Sequence, residues 1–145
     1  MLKSILRKKI IKKRRIKNNN AISIDPKIFY NLIKNYDLAN KNIGGYYPIN
    51  YEVDDLDLLN DLNKKKIKIS LPAIGKNKNM NYYEWTFNNI LNINKYGIPE
   101  PEKNKIVYPD ILIVPMVAFD ERLYRLGYGG GYYDRYIEKI SSKKK

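Results

Sequence analysis

The chain has 145 residues, a hydrophobic fraction of 43%, a formal net charge of +13, and neither cysteine nor histidine. This length predicts one domain, residues 1–145, with enough apolar residues to bury a core. The two missing residue types exclude disulfides, thiolate metal sites, a cysteine nucleophile and a histidine base, so any chemistry depends on carboxylates, Lys, Arg, Tyr, hydroxyls, backbone dipoles or a bound cofactor.

The positive charge is concentrated at the two ends of the chain. Nine of the 28 Lys and Arg residues lie within residues 1–24, which hold no acid, and three form residues 143–145. A basic nucleic-acid-binding domain, with some of the 14 tyrosines stacking on bases, is one hypothesis. Because the tyrosines lie mostly in the nearly neutral middle, we predict no nucleic-acid partner. No apolar run approaches the roughly 20 residues of a membrane span, so we also predict no membrane partner.

Two helices are predicted before the first strand. In residues 2–17, apolar residues recur at spacings of three to five, which is typical of a helix with one apolar face. Lys3 and Arg7 are four residues apart and therefore share a face of that helix. Residues 23–26, Ser-Ile-Asp-Pro, are typical of a helix start with proline near the first helical position. The expected buried face of this second helix is Ile28, Phe29, Leu32 and Ile33.

A strand–helix–strand unit is predicted next. Residues 43–49 are expected to form a strand in which two glycines permit close backbone approach. Residues 54–59 carry early carboxylates that suit the positive end of a helix, and lysines at residues 64–66 suit its negative end. Residues 67–71 alternate as a second strand, which we expect to stop at Pro72.

Two further strands are indicated in the second half of the chain. Residues 82–87 are aromatic and strand-like. Residues 97–101 are expected to be irregular, because two prolines prevent regular strand pairing there. Residues 111–114 are a continuous apolar run between prolines, which is typical of a strand covered on both faces. This order of elements predicts an α/β layered domain with a largely parallel central sheet.

A glycine-rich loop follows this strand and opens the last predicted helix. Gly127, Gly129, Gly130 and Gly131 are half of the eight glycines in the chain. A strand, a glycine loop and a helix N-terminus together present backbone N–H groups to an anion. The loop matches neither the P-loop nor the dinucleotide pattern, because tyrosines occupy the positions that those motifs require. A tight turn without a ligand is the alternative interpretation.

Two charged residues flank the loop. The Arg125 guanidinium suits bidentate contact with a phosphate, which favours anion binding over a simple turn. Asp134 lies one turn inside the predicted helix. It is either a partner of the helix dipole or a Mg²⁺ ligand beside bound phosphate.

These residues resemble the signature of the 5-formyltetrahydrofolate cyclo-ligase family. The pattern comprises Val114-Pro115, Phe119-Asp120 and the run Arg-Leu-Gly-Tyr-Gly-Gly-Gly-Tyr-Tyr-Asp at residues 125–134. The resemblance covers the chain from residue 3 to about residue 137. Its other parts are the Lys-x-x-Leu-Arg pattern at residues 3–7, residues 47–54 with Glu52, residues 66–72 and residues 97–101.

The resemblance implies a fold and a reaction. The fold is a three-layer α/β/α domain with a mostly parallel central sheet, Rossmann-like, of the type of methenyltetrahydrofolate synthetases and NagB-like proteins. The reaction is the ATP- and Mg²⁺-dependent cyclisation of 5-formyltetrahydrofolate, with or without a polyglutamate tail, to 5,10-methenyltetrahydrofolate, with release of ADP and phosphate. The resemblance also implies a cytoplasmic monomer.

The same resemblance implies a set of site residues. It places the ATP phosphates against Arg125 and the glycine loop, with Lys3 and Arg7 closing on them from the N-terminal helix. Tyr47 and Glu52 line the folate side, where Glu52 accepts N–H groups of the pterin. The implied catalytic residues are Arg125 and Lys3, and the implied magnesium ligand is Asp134. The implied ATP-binding residues are Lys3, Ser4, Ile5, Leu6, Arg7, Arg125, Leu126, Gly127, Tyr128, Gly129, Gly130, Gly131, Tyr132 and Tyr133. The implied substrate-binding residues are Tyr47, Glu52, Tyr128, Gly129, Gly130, Gly131 and Tyr132.

The C-terminal part of the sequence departs from the family pattern. Family members usually continue past this helix with another strand and further acidic residues, one of them associated with Mg²⁺. We therefore expect the domain to lack the usual last strand region, with lower stability and weaker turnover than a complete member. A catalytically degenerate member that only binds nucleotide or folate is the alternative hypothesis.

Overall fold

The computed structural model describes residues 2–17 and 22–143. These residues form four α-helices and nine strands. The helices are α1 (Leu2–Lys17), α2 (Pro26–Leu32), α3 (Leu56–Lys64) and α4 (Tyr132–Lys143). The strands are β1 (Asn42–Gly44), β2 (Lys68–Ile74), β3 (Met80–Trp85), β4 (Leu91–Ile93), β5 (Pro99–Pro101), β6 (Ile106–Val107), β7 (Ile111–Leu112), β8 (Ala118–Phe119) and β9 (Arg125–Leu126). No helix in these two ranges is long and apolar enough to cross a bilayer.

The central sheet has five strands in the order β6-β3-β2-β1-β7. Strand β1 pairs in parallel with both β2 and β7, whereas β3 pairs antiparallel with β2 and β6. The sheet is therefore mixed, and the prediction of a mostly parallel sheet is not confirmed. The reason is the connection between β2 and β3, residues 75–79, which is too short for the crossover that a parallel pair needs.

Helices cover both faces of this sheet. On one face, α2 and α3 pack against a buried cluster of Phe29, Ile43, Leu58, Leu59, Leu62, Ile69, Leu71 and Trp85. On the other face, Tyr136 of α4 packs with Met80 and Tyr82. Tyr82 and Trp85 of β3 belong to different clusters because an odd spacing along a strand places side chains on opposite faces. The coarse prediction of a mixed α/β domain is confirmed.

Two predicted helix faces are corrected by the structure. Helix α1 forms as predicted, but it contains no buried residue, and its apolar residues Leu2 and Ile16 are 81% and 70% exposed. Helix α2 begins as predicted, with the Asp25 side chain accepting a hydrogen bond from the Lys27 N–H at 2.8 Å. Its buried stripe is narrower than predicted, because Phe29 faces α3 while Ile28 and Leu32 are 60% and 78% exposed.

Prolines occupy strand positions that the sequence did not predict. Strand β2 continues through Pro72, which lies beyond Ser70, the last β2 residue paired with β1. No N–H is therefore needed at Pro72 on that side. The prediction of an irregular segment at residues 97–101 is wrong for Pro99–Pro101, since these residues form β5 and pair with β4. Hydrogen-bonded positions alternate along an antiparallel pair, and the Asn94 N–H bond to the Ile98 carbonyl places both prolines at positions without such bonds.

The strand predicted at residues 111–114 is shorter but is covered as expected. Only Ile111 and Leu112 are paired, with β1. Ile111 and Ile113 pack against the cluster under α2 and α3, while Leu112 packs against the cluster under α4. Gly44 of β1 also allows the close approach that was predicted, because a Cβ there would lie 2.8 Å from side chains on three neighbours.

Candidate functional site

A cavity of about 830 Å³ lies where several parts of the chain converge. Strands β1, β2 and β7 run in parallel, and residues at or just beyond their carboxyl ends, including Tyr46, Ile74 and Pro115, line it. This is the usual position of ligand sites in sheets with parallel strands. The glycine loop, the first two turns of α1 and the connection between β4 and β5 form the remaining walls.

Almost all the residues implied by the family resemblance line this one cavity. The exceptions are Ser4 and Ile5, which lie on α1 but not on the cavity wall, and both are exposed. The predicted residues brought together are Lys3, Leu6, Arg7, Tyr47, Glu52, Arg125, Leu126, Gly127, Tyr128, Gly129, Gly130, Gly131, Tyr132, Tyr133 and Asp134.

The glycine loop presents backbone N–H groups rather than a closed turn. Gly129 and Gly131 have φ values of +102° and +67°, which side-chain-bearing residues rarely adopt. In the described part of the chain, the N–H groups of residues 128–134 donate to no backbone carbonyl. The series of helical bonds begins only at Arg135, whose N–H donates to the Gly131 carbonyl at 3.1 Å. Such a run at a helix N-terminus is suited to an anion.

Two arginines fix the orientation of peptide groups in the loop. The Arg7 Nε donates to the Gly127 carbonyl at 2.7 Å, and the Arg135 Nη2 donates to the Gly130 carbonyl at 3.0 Å. Because a trans peptide is planar, its N–H points away from its carbonyl oxygen, so these bonds also orient the next N–H groups. Arg135 also donates to the Lys78 carbonyl at 3.0 Å, which connects the loop to the turn before β3.

The predicted phosphate ligand and the predicted metal ligand contact each other. Arg125 and Asp134 form an ion pair in which the arginine side chain is 19% exposed and the aspartate 78% exposed. The Arg125 guanidinium also lies 5.9 Å from the Tyr133 ring centre. Within the described residues, no group of three or more acidic side chains could hold a metal ion. Asp134 therefore suits Mg²⁺ only together with phosphate oxygens, which is a common mode for this ion.

Another part of the cavity lining is a carboxylate held in a strained turn. Asn50 and Tyr51 have φ values of +49° and +62°, and the Glu52 Oε2 accepts the Ile49 N–H at 2.8 Å. Burial raises the pKa of Glu52, while the Ile49 N–H, the Tyr128 hydroxyl and a nearby arginine lower it. Left-handed conformations at residues other than glycine are often found at functional sites. The turn holds one carboxylate oxygen and leaves Glu52 facing the cavity.

The tyrosines that follow the glycine loop contact both the core and the cavity. Tyr132 and Tyr133 are partly buried against the cluster under α4, and both line the cavity. Burial raises the pKa of Tyr133. The Tyr132 hydroxyl lies 3.3 Å from the Tyr96 hydroxyl, so the β4–β5 connection contacts the helix start. This pair of tyrosines therefore packs against the core as well as bordering the cavity.

Sequence reasoning missed three residues that shape the site: Arg14, Tyr96 and Arg135. Arg14 lies on the same face of α1 as Lys3 and Arg7, which was the available signal. Arg135 directly follows the recognised run, but nothing in its spacing indicated a bond to the loop. Tyr96 adjoins residues 97–101, which were predicted to be irregular.

The sequence and the fold of this chain are similar to those of known proteins. The model of the 5-formyltetrahydrofolate cyclo-ligase family matches residues 2–145. A probable 5-formyltetrahydrofolate cyclo-ligase of Schizosaccharomyces pombe is 55% identical over 58 residues, which are 36% of this chain and 28% of that protein. A 5-formyltetrahydrofolate cyclo-ligase of Mycoplasma genitalium is 34% identical over 105 residues, 72% of this chain and 55% of that protein. The matched parts thus span about half or less of these two relatives.

A solved structure is also similar over most of the chain. The NMR structure of Aquifex aeolicus 5,10-methenyltetrahydrofolate synthetase superposes with a TM-score of 0.71 at 31% sequence identity. The superposition covers 95% of this chain and 73% of that one.

Proposed function

The chain belongs to the 5-formyltetrahydrofolate cyclo-ligase family, and on that premise we propose that it catalyses the ATP-dependent cyclisation of 5-formyltetrahydrofolate to 5,10-methenyltetrahydrofolate. One observation carries the proposal. A single cavity of about 830 Å³ joins a wall of N–H groups and cations to a wall holding Glu52 and Tyr47. This size lies within the range of small-molecule sites, about 300–1,000 Å³.

The chemistry requires no protein nucleophile. The formyl oxygen attacks the terminal phosphorus of ATP, so the bond to ADP breaks as an oxygen–phosphorus bond forms. The second folate nitrogen then attacks the activated carbon and loses its proton, and the carbon–oxygen bond breaks to release phosphate. Both nucleophiles belong to the substrate. This suits a chain without histidine or cysteine.

The protein contributes position and charge, which is how phosphoryl transfer is generally catalysed. The N–H groups of the glycine loop and the guanidinium of Arg125 hold the transferred phosphoryl group. Lys3 approaches it from α1, where its side chain lines the cavity and forms no hydrogen bond or ion pair with another described residue. We assign Arg125 and Lys3 to charge stabilisation in the transfer step.

The folate occupies the other side of the cavity. There the Glu52 carboxylate accepts N–H donors of the pterin, and Tyr47 and Tyr128 contact the ring. The Ile49 N–H already occupies Glu52 Oε2, so the second carboxylate oxygen is the one available to the substrate.

Mg²⁺ would be held by Asp134 together with the phosphate oxygens, where it neutralises charge on the transferring group. The ion pair with Arg125 means that this carboxylate must exchange partners when nucleotide and metal bind.

The direct test is turnover of the purified chain. We expect methenyltetrahydrofolate to form, as followed by its absorbance, only when ATP is present. Isothermal titration with ATP and with 5-formyltetrahydrofolate separates an enzyme from a degenerate member, which would bind without turnover. The absence of both binding and turnover would contradict the proposal. Salt-sensitive RNA binding by the same sample would instead favour the nucleic-acid hypothesis.

Several finer features belong to the same proposal. Helices on both faces of the sheet support a three-layer Rossmann-like domain spanning residues 1–145. We further propose a monomer that acts in the cytoplasm on folate with or without a polyglutamate tail. Gel filtration tests the oligomeric state, and a comparison of mono- and polyglutamylated substrates tests whether the tail is accepted.

A further inference from the structure

Arg14 connects α1 to the rest of the molecule through polar contacts. It lies seven residues after Arg7, so the two side chains share a face of the helix. Its Nη2 donates to the carbonyl of Met116 at 2.9 Å and to that of Val117 at 2.6 Å. Both carbonyls belong to the segment that follows β7, near its carboxyl end.

The same guanidinium also faces the proposed folate side. Its Nη1 lies 3.5 Å from the Tyr128 hydroxyl, and Tyr128 lines the cavity. The charge of Arg14 lowers the pKa of Glu52 and so opposes the effect of burial on that carboxyl. The other groups that interact electrostatically with Glu52 are Tyr46, Tyr128, Tyr133 and Asp55, none of which carries a positive charge.

A partly buried carboxylate such as Glu52 needs a partner of this kind. Removing a charge from water costs free energy unless hydrogen bonds or an opposite charge compensate for the loss. Glu52 receives one backbone N–H, from Ile49, and that bond satisfies one oxygen. In the described part of the chain, Arg14 is the one cation that acts on Glu52.

We propose that Arg14 is a positioning residue for the reaction: it holds Tyr128 and Glu52 in place on the folate side while it anchors α1 to Met116 and Val117. The proposal rests on the proposed function, because it assumes that Glu52 binds the folate. It implies that replacing Arg14 weakens folate binding far more than nucleotide binding, even though Arg14 lies on the same helix as Lys3 and Arg7.

The variants are Arg14→Met, Arg14→Lys and the matched control Arg15→Met, which removes an exposed cation one residue away. We expect Arg14→Met to raise KM for 5-formyltetrahydrofolate about tenfold, the loss expected for one charge-assisted contact, with a smaller change in KM for ATP. Arg14→Lys should recover part of the loss, since it restores the charge but not the fork of donors. Arg15→Met should match the wild type.

A second measurement does not depend on activity. Carboxyl NMR titration of the free protein should show a higher pKa for Glu52 in Arg14→Met than in the wild type or in Arg15→Met. An unchanged pKa would overturn the proposal, even for an inactive enzyme. Equal rises in KM for both substrates, with a lower melting temperature, would reduce Arg14 to a structural anchor. If the wild type lacks turnover but the pKa still rises, the proposed function fails while the pairing of Arg14 with Glu52 stands.

Discussion

Arg125 and Asp134 are in direct contact although each is suited to a different part of a magnesium–nucleotide complex. In the free protein, each side chain neutralises the other at the mouth of the glycine loop. Under the proposed function, nucleotide and metal would replace this ion pair with two new contacts, phosphate on Arg125 and Mg²⁺ on Asp134. Because of this exchange, we expect the replacement of Arg125 and the replacement of Asp134 to have different effects.

Replacing Arg125 should abolish most turnover. Arg125→Ala removes the guanidinium that faces the cavity, and loss of one such transition-state contact typically costs about 10²–10³ in kcat. Steady-state formation of methenyltetrahydrofolate measures the effect. Arg122→Ala, which removes an exposed arginine from the neighbouring turn, is the control and should retain activity. Equal activity in the two variants would refute the role of Arg125.

Replacing Asp134 should change how nucleotide affinity depends on magnesium. Asp134→Asn removes the anion that competes with phosphate for Arg125, so ATP should bind a few-fold more tightly in the absence of Mg²⁺. The same variant loses the carboxylate proposed to hold the ion, so added Mg²⁺ should no longer improve affinity. Titration calorimetry with and without Mg²⁺ tests both effects. A variant whose response to Mg²⁺ equals that of the wild type would show that Asp134 does not hold the metal.

Replacing Asp55 should stabilise the protein above neutral pH. This side chain is fully buried, its Oδ2 accepts the Tyr46 N–H at 3.0 Å, and burial raises its pKa from 3.8 to about 7. A raised folded-state pKa means that its contribution is fully present below about pH 4 and is lost as pH rises through about 7.

The gain in unfolding free energy of Asp55→Asn over the wild type should therefore be larger at pH 8.5 than at pH 5, by on the order of 2 kcal/mol. Urea denaturation at the two pH values measures this change. Asp57→Asn, at an exposed position of the same helix, is the control and should show no comparable gain. A wild type equally stable at both pH values would contradict the prediction.

Replacing Leu123 with glycine should also stabilise the fold. Leu123 has a φ of +64° in the turn between β8 and β9, and its side chain is 78% exposed. A left-handed conformation costs a side-chain-bearing residue about 1 kcal/mol, which glycine avoids. We expect Leu123→Gly to raise the melting temperature by a few degrees. Leu32→Gly is the matched control, since Leu32 is equally exposed but lies in α2, and it should lower the melting temperature.

Local patterns in the sequence predicted the glycine loop of the candidate site and only part of the fold. The glycine loop and Arg125 to Asp134 lie within ten residues, so their arrangement follows from one strand, one loop and one helix start. Contacts such as that of Arg14 with Met116, 102 residues away, depend on packing that no local pattern encodes.

The same distinction explains the errors in the sheet. A preference for parallel pairing was inferred from the order of elements, whereas the direction of β3 depends on the short connection after Ile74. The two prolines predict an irregular segment at residues 97–101, but Pro99 and Pro101 occupy strand positions at which no N–H donor is needed. The direction of β3 and the strand positions of the two prolines thus depend on connection length and pairing register rather than on composition.

Helix α1 contains no buried residue, and arginine bonds to backbone carbonyls attach it to the rest of the protein. Its release therefore exposes little new apolar surface, and the heat-capacity change for undocking should be small. Guanidinium ions in solution offer those carbonyls the same donors as Arg7 and Arg14. Guanidinium chloride should consequently detach this helix, and Lys3 with it, at concentrations that leave the sheet and its two buried clusters intact.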